Sequence, residues 1–271
     1  MGAVRKTRIV IPCYNESQRL LPQAFLSALH NDPSLSFLFV NDGSTDSTLQ
    51  VLNSIRDKYP AQVDVLDLET NCGKAEAVRR GVLEASEGPF QYVGYWDADL
   101  ATPLDAIDEF CAVLDKRQVD AVLGSRVRLL GRRIKRRPVR HYLGRIFATC
   151  ASVLLGMNIY DTQCGAKIFR NSTALHMVFA SPFKVSWIFD VEMLARFPLV
   201  LDASCAEVSA NWVEFPLHEW QDVKGSKLRG TDYFKALAEF GTLFFFLKTP
   251  VRKAYRRYLQ GGGSRPADSR T

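Results

Sequence analysis

Hydrophobic runs alternate with more polar segments along the first half of the chain. Five of the runs are predicted to be buried strands: "RIVIPCYN" (Arg8–Asn15), "SFLFVND", "QVDVLDL", "QYVGYWDAD" and "VDAVLGSR". The segments between them are predicted to be helices: Glu16–His30, the stretch that follows "DGSTDST", Gly73–Ala85 and Leu104–Lys116. Strands that alternate with helices predict an α/β fold with a doubly wound, mostly parallel sheet.

The second half follows a different pattern. After Arg126 a basic loop precedes a long helix from about Val139 to Met157, and the loop "YDTQCGAKIFR" comes next. An apolar piece ending in "WIFDVEML" leads into a helix, "AEVSANWVEFPL" is predicted to be a strand, and helices follow the loop "HEWQDVKGSKLRG". We expect one domain over residues 1–250, with halves at 8–126 and 127–250, and then a basic segment and flexible tail at 251–271.

Positive charge is concentrated in two places. The net charge is +6, a dense basic run lies between Arg126 and Arg145, and "RKAYRR" begins at Arg252. Such clusters indicate anionic partners, namely phosphates, nucleic acid or an acidic membrane surface. Two apolar segments lie beside them, Leu143–Met157 and Leu237–Leu247, and both are too short to span a bilayer. Two interpretations stay open for these segments: core helices, or helices that rest on a membrane face.

The cysteines and the N-terminus favour a cytosolic setting. None of the six cysteines forms a CxxC pair, which predicts reduced thiols rather than a disulfide framework or a zinc site. The start, "MGAVRKTRIVIPCYNE", leads directly into a strand, so we expect no signal peptide.

Polar residues follow each of the five predicted strands. Ligands bind at the carboxyl ends of the strands in an open parallel sheet, so these residues are expected to share one edge. One such residue is usually an ordinary loop residue, whereas five polar strand ends together favour a binding site. The residues are Tyr14, Asn15 and Glu16; Asn41, Asp42 and Gly43; Asn71, Gly73 and Lys74; Asp97 and Asp99; and Ser125 and Arg126.

The two acids after the fourth strand indicate a metal site. Asp97 and Asp99 are expected to face the same way, because strand side chains alternate. Two carboxylates so close repel each other unless a cation lies beside them, and Mg²⁺ or Mn²⁺ prefers carboxylate and diphosphate oxygens. Lys74 and Arg126 would neutralise the same phosphates, and Asp42 is suited to a base or ribose. The sequence therefore predicts a site for a nucleoside diphosphate.

Ordered motifs now point to a family. "IPCYNE", "VNDGSTDST", "NCGKAEAVRRG", "DADLATP" and "GSR" resemble the nucleotide-binding half of family 2 glycosyltransferases, which have the GT-A fold. "DTQCGAKIF", "WIFDVEML" and "WQDVKGSKL" are similar to polyprenyl-phosphate and dolichyl-phosphate glycosyltransferases, which move one hexose onto a lipid phosphate. The resemblance spans Arg8–Leu247 and implies a nucleotide-binding half at 8–126 and an acceptor- and membrane-facing half at 127–250.

The resemblance also implies roles for individual residues. Metal binding falls to Asp97 and Asp99, and acceptor-phosphate binding to Arg126, Arg132 and Arg133. Glu192 is expected near the transferred sugar. The catalytic residues implied are Asp99, Asp190, Arg126 and Lys227. The donor-binding residues implied are Pro12, Tyr14, Glu16, Asp42, Lys74, Asp97, Asp99, Gln163, Gly165, Ser226 and Lys227.

The implied reaction inverts the anomeric carbon in a single displacement, with Mg²⁺ or Mn²⁺ as the cofactor. A phosphate acceptor is already anionic, so Asp190 is expected to orient the sugar or the acceptor rather than to take a proton. Mannose-transferring relatives commonly carry a Gln two residues after the second acid, and this chain has Ala101 there. The expected donor is therefore UDP-glucose rather than GDP-mannose. The expected acceptor is a polyprenyl or dolichyl phosphate at the cytoplasmic face of an anionic membrane.

Other functions remain open at this point. A family 2 enzyme with a soluble saccharide acceptor would use Asp190 as a true base, and a GDP-mannose-dependent enzyme would share the same fold. A sugar nucleotidyltransferase would need a Gly-rich loop after the first strand, where this chain reads "PCYNES". A nucleic-acid-binding protein would use the basic run but would not need an acid pair at a strand end, so we expect no nucleic-acid partner.

Overall fold

A seven-stranded sheet lies at the centre of the computed structural model, which describes residues 6–135, 138–221 and 231–261, with the backbone alone for 138–143 and 231–234. Its strand order is β3-β2-β1-β4-β7-β5-β8, and only β7 runs antiparallel to its neighbours. A short sheet pairs β6 (Arg133–Lys135) with β9 (Glu219–Gln221). The main strands are β1 (Thr7–Cys13), β2 (Leu35–Asp42), β3 (Val63–Leu68), β4 (Tyr92–Trp96), β5 (Ala121–Ser125), β7 (Ala166–Arg170) and β8 (Trp212–Pro216).

Helices cover both faces of this sheet and bury two hydrophobic layers. Parallel strands covered on both sides are apolar along their whole length, and every residue of β2 is buried. The predicted doubly wound, mostly parallel α/β fold is therefore confirmed. The helices are α1 (Pro22–Asn31), α2 (Thr48–Arg56), α3 (Lys74–Glu87), α4 (Ala106–Arg117), α5 (Pro138–Leu155), α6 (Thr173–Ala180), α7 (Phe189–Leu201), α8 (Cys205–Ala210), α9 (Thr231–Lys248) and α10 (Arg252–Gln260).

Three predicted elements were wrong in extent or type. Helix α1 begins at Pro22, a residue favoured in the first turn, rather than at Glu16. The predicted loop "YDTQCGAKIFR" contains β7, which inserts between β4 and β5. The predicted strand "AEVSANWVEFPL" begins as helix α8, because Ser204 and Glu207 form a reciprocal capping box at its start.

The two apolar segments near the basic clusters lie in helices α5 and α9, which pack together through Phe147 and Phe240 with ring centroids 5.0 Å apart. One face of each helix joins the core. No helix within the described ranges is both long and apolar enough to cross a membrane. Large apolar side chains nevertheless remain 51–75% exposed on these two helices, and we call this set the α5–α9 apolar patch: Ile146, Val153, Leu237, Phe244 and Phe245.

Glu239 joins α9 to the start of α7. Its carboxylate accepts hydrogen bonds from the backbone N–H groups of Ser186, Trp187 and Ile188, at distances between 2.9 and 3.2 Å. These N–H groups belong to the residues directly before α7, and a carboxylate near the N-terminus of a helix complements the helix dipole. Glu239 therefore holds the beginning of α7, which carries Asp190, against α9.

We expect Glu239→Gln to lower the free energy of unfolding by about 1.5–3 kcal/mol, the usual contribution of hydrogen bonds to a charged group. The amide keeps one acceptor oxygen but loses the charge. Urea denaturation of the two proteins measures the difference. Glu69→Gln, a change at an exposed loop position, is the control and should have little effect. A Glu239→Gln midpoint equal to that of the control would show that this contact does not stabilise the fold.

Candidate active site

The acid pair lies in a turn directly after β4. The strand ends at Trp96, and the Leu100 N–H donates to the Asp97 carbonyl at 3.2 Å to close the turn. We expected the two acids to face the same way because side chains alternate along a strand. This reason is wrong, because both acids lie beyond the end of the strand. The two carboxylates do lie close enough for the charge of Asp97 to act on Asp99.

Asp97 is bound between a lysine and a glycine. Lys74 Nζ, at the start of α3, lies 2.5 Å from Asp97 Oδ1. On the other side the Asp97 N–H donates to the Gly165 carbonyl at 3.0 Å, and a Cβ added to Gly165 would lie 1.9 Å from Asp97 Oδ2. Position 165 therefore has no room for a side chain beside this carboxylate, which explains a glycine there.

Asp99 is held by different partners. Arg19 Nη2 lies 3.2 Å from Asp99 Oδ2, and the Ala101 N–H donates to Asp99 Oδ1 at 3.1 Å. Burial, and then the negative charge of Asp97, raise the pKa of Asp99 above its usual value. A cation bound at this turn would relieve that unfavourable concentration of negative charge.

The turn offers two carboxylates for a divalent ion, and Lys74 and Arg19 balance their charge in this structure. Within the described part of the chain no group of three or more Asp, Glu, His or Cys side chains is placed to hold a metal. A hard cation here would need further oxygen ligands from a bound molecule. Mg²⁺ typically binds in this way, through one or two carboxylates and substrate phosphates. The residues present therefore fit an ion that binds together with a diphosphate.

Asp190 lies in the first turn of α7 and faces the same cleft. Its Oδ1 accepts hydrogen bonds from Tyr95 Oη and from Lys167 Nζ, the latter at 2.6 Å. Partial burial lowers the pKa of Lys74, but the carboxylates of Asp97 and Asp190 raise it by more, so the pKa lies above its usual value. Lys74 is therefore a protonated cation near Asp97, in the turn after β4, and Asp190 of α7.

Arg126 follows β5 and forms a bidentate pair with Asp161. Nε and Nη2 donate to the Asp161 carboxylate at 2.6 and 2.7 Å, and the guanidinium lies 5.4 Å from the Trp220 ring centroid. Glu214 in turn accepts from the backbone N–H groups of Tyr160 and Asp161 at 2.7 and 2.8 Å. The sequence analysis did not identify Asp161. This residue lies beside Arg126 in the fold but 35 positions later in the chain, so no local pattern connects the two.

Asp42 connects two of the strand-end loops. Its oxygens accept from the backbone N–H groups of Cys72 and Gly73, at 2.7 and 2.9 Å, and the residue is almost fully buried. Gly43 has a φ of +61°, and a Cβ there would lie 2.4 Å from the Asn71 nitrogen. Asp42 therefore fixes the loop that leads into Lys74, and its proposed contact with a base or ribose stays a prediction.

The other predicted site residues differ in exposure and contacts. Pro12 lies near the end of β1, and Tyr14 is 36% exposed. Glu16 is buried, and its carboxylate lies 3.3 Å from the Arg19 guanidinium. Gln163 has its side-chain Nε2 buried with no hydrogen-bond partner among the described residues, and its backbone N–H donates to Asp161. Ser226 and Lys227 lie outside the described residues.

The remaining predicted residues are Arg132, Arg133 and Glu192. Arg132 contacts His218 Nδ1, and Arg133 is an exposed residue of β6. Glu192 is completely buried: Oε1 accepts from Arg196 and Tyr255, and Oε2 accepts from two backbone N–H groups. The structure therefore places Glu192 in the packing between α7 and α10 and does not bring it to the cleft.

This fold and cleft define a GT-A glycosyltransferase. The fold is similar to that of the Mycobacterium tuberculosis glucosyl-3-phosphoglycerate synthase crystallised with Mn²⁺, UDP and glucosyl-3-phosphoglycerate, with a TM-score of 0.61 and 16% identity over 91% of this chain and 81% of that one. The family model "Glycosyl transferase family 2" matches residues 8–177, so the chain belongs to this family. The resemblance noted in the sequence is confirmed.

Two relatives are dolichyl-phosphate beta-glucosyltransferases. The chain is 33% identical to a dolichyl-phosphate beta-glucosyltransferase of Dictyostelium discoideum, over 81% of this chain and 68% of that protein. It is 32% identical to a dolichyl-phosphate beta-glucosyltransferase of Trichomonas vaginalis, over 82% of this chain and 66% of that protein. The chain thus spans about two thirds of the length of these relatives.

Proposed function

We propose that this protein transfers glucose from UDP-glucose to a polyprenyl or dolichyl phosphate and inverts the anomeric carbon. One observation carries the proposal: two acids after β4, balanced by Lys74 and Arg19, face Asp190 at the carboxyl edge of a GT-A sheet. The dolichyl-phosphate glucosyltransferases among the relatives support the choice of sugar and acceptor.

Asp97 and Asp99 would hold Mg²⁺ or Mn²⁺ together with the donor diphosphate, as the Mn²⁺ and UDP complex of the fold relative supports. The ion would supply positive charge for the leaving UDP. Lys74 already touches Asp97 and is 45% exposed, so its ammonium can turn toward a phosphate oxygen when the acids bind an ion. Preorganised positive charge of this kind stabilises the negative charge that grows on a departing diphosphate.

Arg126 is the proposed partner of the acceptor phosphate. Its Nε and Nη2 are held by Asp161, and Nη1 has no hydrogen-bond partner among the described residues. Asp161 and Trp220 thus fix the guanidinium plane while one end stays available. Arg132 and Arg133 lie further along the same basic segment, where a second phosphate contact or the membrane surface would engage them. We also propose that Ser226 and Lys227 close over the diphosphate of the bound donor.

UDP-glucose is preferred over GDP-mannose because of position 101. Ala101 is nearly buried, and its N–H donates to Asp99. A methyl side chain there offers no metal ligand, in contrast to the Gln of mannose-transferring relatives. The donor-binding roles of Pro12, Tyr14, Glu16 and Gln163 are part of the proposal.

The lipid acceptor requires access to a membrane, and we propose that the protein binds peripherally at the cytoplasmic face. The α5–α9 apolar patch supports this, because helices with exposed large apolar residues and basic residues nearby are typical of interfacial binding. Exposed Arg252, Lys253 and Arg257 of α10 lie next to it in the chain. Each basic residue near an anionic surface contributes about 1 kcal/mol to binding.

The direct test is incubation of the purified protein with a panel of nucleotide sugars, a polyprenyl phosphate and Mg²⁺ or Mn²⁺, followed by mass measurement of the lipid product. A hexosyl lipid phosphate formed from UDP-glucose is the expected result. Product only from GDP-mannose would correct the donor. Transfer only to soluble saccharides, without dependence on detergent or lipid, would refute the lipid acceptor.

Membrane binding gives a separate prediction. Replacement of Arg132, Arg133, Arg136 and Arg137 by Gln should weaken co-sedimentation with anionic vesicles, and high salt should release the wild type, because ions screen surface charge over about 8–10 Å. The matched control replaces Lys116 and Arg117 with Gln at the exposed end of α4. Equal, salt-independent binding to neutral vesicles would rule out the electrostatic part.

A further inference from the structure

Two completely buried side chains hold the Asp190 carboxylate from behind. The Tyr95 hydroxyl donates to Asp190 Oδ1, and Lys167 Nζ donates to the same oxygen at 2.6 Å and to the Cys164 carbonyl at 2.5 Å. Tyr95 and Lys167 both have an exposed fraction of 0%. Lys167 lies in a segment that the sequence predicts to be a loop, and nothing in the local sequence connects it to Asp190.

The sheet places these two groups together. Tyr95 of β4 and Lys167 of β7 are directly opposite in the antiparallel register, so their side chains leave the same face of the sheet. Helix α7 packs on that face and brings Asp190 onto both groups. Asp97 follows Tyr95 by two residues, so this arrangement lies directly behind the acid pair.

A second buried ion pair on α7 provides the contrast. Glu192 and Arg196 are both fully buried, and each Glu192 oxygen has hydrogen-bond donors from the protein: Arg196 and Tyr255 on one, backbone N–H groups on the other. Both Glu192 oxygens are therefore occupied by protein donors, as expected of an ion pair with a purely structural role. At Asp190 the protein uses only Oδ1, and no described residue donates a hydrogen bond to Oδ2.

A fully buried ammonium is costly unless it is paired, and a buried carboxylate without partners would take up a proton. The Asp190 carboxylate gives the Lys167 ammonium its oppositely charged partner, and Oδ1 accepts from both Lys167 and Tyr95. These two hydrogen bonds also restrict rotation of the carboxylate about its Cβ–Cγ bond. The second oxygen is therefore left in a defined direction as a strong hydrogen-bond acceptor.

We propose that Lys167 and Tyr95 are positioning residues, which fix the orientation of the Asp190 carboxylate and hold its Oδ2 toward a hydroxyl group of the sugar being transferred. This inference rests on the proposed hexosyl transfer for the identity of the ligand. Its structural part, the control of Asp190 by Lys167 and Tyr95, concerns the ligand-free protein as well. The two parts can therefore be tested separately.

The ligand-free test follows the Asp190 carboxyl signal by NMR in protein labelled with ¹³C at the aspartate carboxyl groups, with Asp190→Asn to assign the signal. Tyr95→Phe and Lys167→Met each remove one donor to Oδ1, so each should change the carboxyl chemical shift of Asp190 at a fixed pH. Tyr92→Phe is the matched control, because the Tyr92 hydroxyl of β4 donates to Asp115 of α4 and not to Asp190. An Asp190 signal unchanged in both variants would overturn the inference without involving any substrate.

The kinetic test uses a double-variant cycle. Lys167→Met should lower kcat, and the double variant should lose no more than Asp190→Asn alone, because Lys167 acts only through Asp190. The double variant has no buried unpaired charge, so it remains informative if Lys167→Met folds poorly. Tyr95→Phe should lower kcat and leave UDP affinity unchanged. Independent, multiplied losses in the double variant would show that the pair is only structural, whereas a wild type without transfer would refute the proposed function instead.

Discussion

Asp99→Asn is expected to reduce hexose transfer by about 10²–10³-fold while leaving the fold intact. The change removes the charge of one of the two carboxylates that would hold the divalent ion, and removal of one electrostatic contact to a developing charge typically costs 10²–10³-fold. The side chain lies in a turn and is 26% exposed, so no core packing is lost. Steady-state transfer rates, with Mg²⁺ or Mn²⁺ varied, measure the effect.

Without ligand, Asp99→Asn is not expected to destabilise the folded protein at neutral pH. Burial and Asp97 raise the pKa of Asp99 in the folded protein, so the proton is bound more tightly in the folded chain than in the unfolded one. The stability associated with this group is therefore present at low pH and is lost as pH rises through the folded pKa. At neutral pH the ligand-free Asp99→Asn protein should have a Tm equal to or slightly above that of the wild type.

Ligand binding should reverse this order. An ion and UDP at about 100 times their dissociation constant stabilise a folded protein by about 2.7 kcal/mol, and Asp99→Asn should lose the metal-dependent part of the increase in Tm. In the wild type this part should fade as pH falls toward the raised pKa of Asp99, because protons compete with the ion. Asp57→Asn, a change at an exposed acid, is the control. Full transfer by Asp99→Asn, or by the wild type in excess chelator, would refute metal dependence.

Arg126→Met is expected to impair both stability and activity. Arg126 and Asp161 are mostly buried, with side chains 13% and 9% exposed, and loss of one partner leaves the other charge unpaired. Such a change typically costs about 3–5 kcal/mol. Transfer should fall by about 10²-fold or more, because the proposed contact with the acceptor phosphate is lost.

The variant Arg126→Met/Asp161→Asn separates these two effects. The amide carries no charge but keeps an acceptor oxygen for the backbone N–H groups of Arg126 and Gln163, so the free energy of unfolding should return most of the way to the wild-type value. Transfer should stay low, because no guanidinium is restored. Arg126→Lys should keep the charge but lose the bidentate geometry, and should recover only part of the activity. Recovery of transfer in the double variant would show that Arg126 acts only as a structural ion pair.

Much of the fold could be predicted because its signals are local. Apolar runs such as "RIVIPCYN" and "SFLFVND" mark β1 and β2, and both strands are almost wholly buried. Strand β7 was missed because "AKIFR" is short, contains two charged residues and lies outside the alternation of strands and helices. Its insertion between β4 and β5 depends on pairing with both of those strands.

The sequence by itself determined the doubly wound sheet, the family and the polar residues at the strand ends, because hydrophobic periodicity and short motifs are properties of neighbouring residues. The tertiary structure alone decided which charges meet. Arg19 pairs with Asp99 across 80 positions, Tyr95 bonds to Asp190 across 95, and Arg126 to Asp161 across 35. Each of these contacts depends on strand order and helix packing, and the energy of an ion pair depends on burial that no local pattern records. The acids could thus be found in the sequence, but the partners that control them could not.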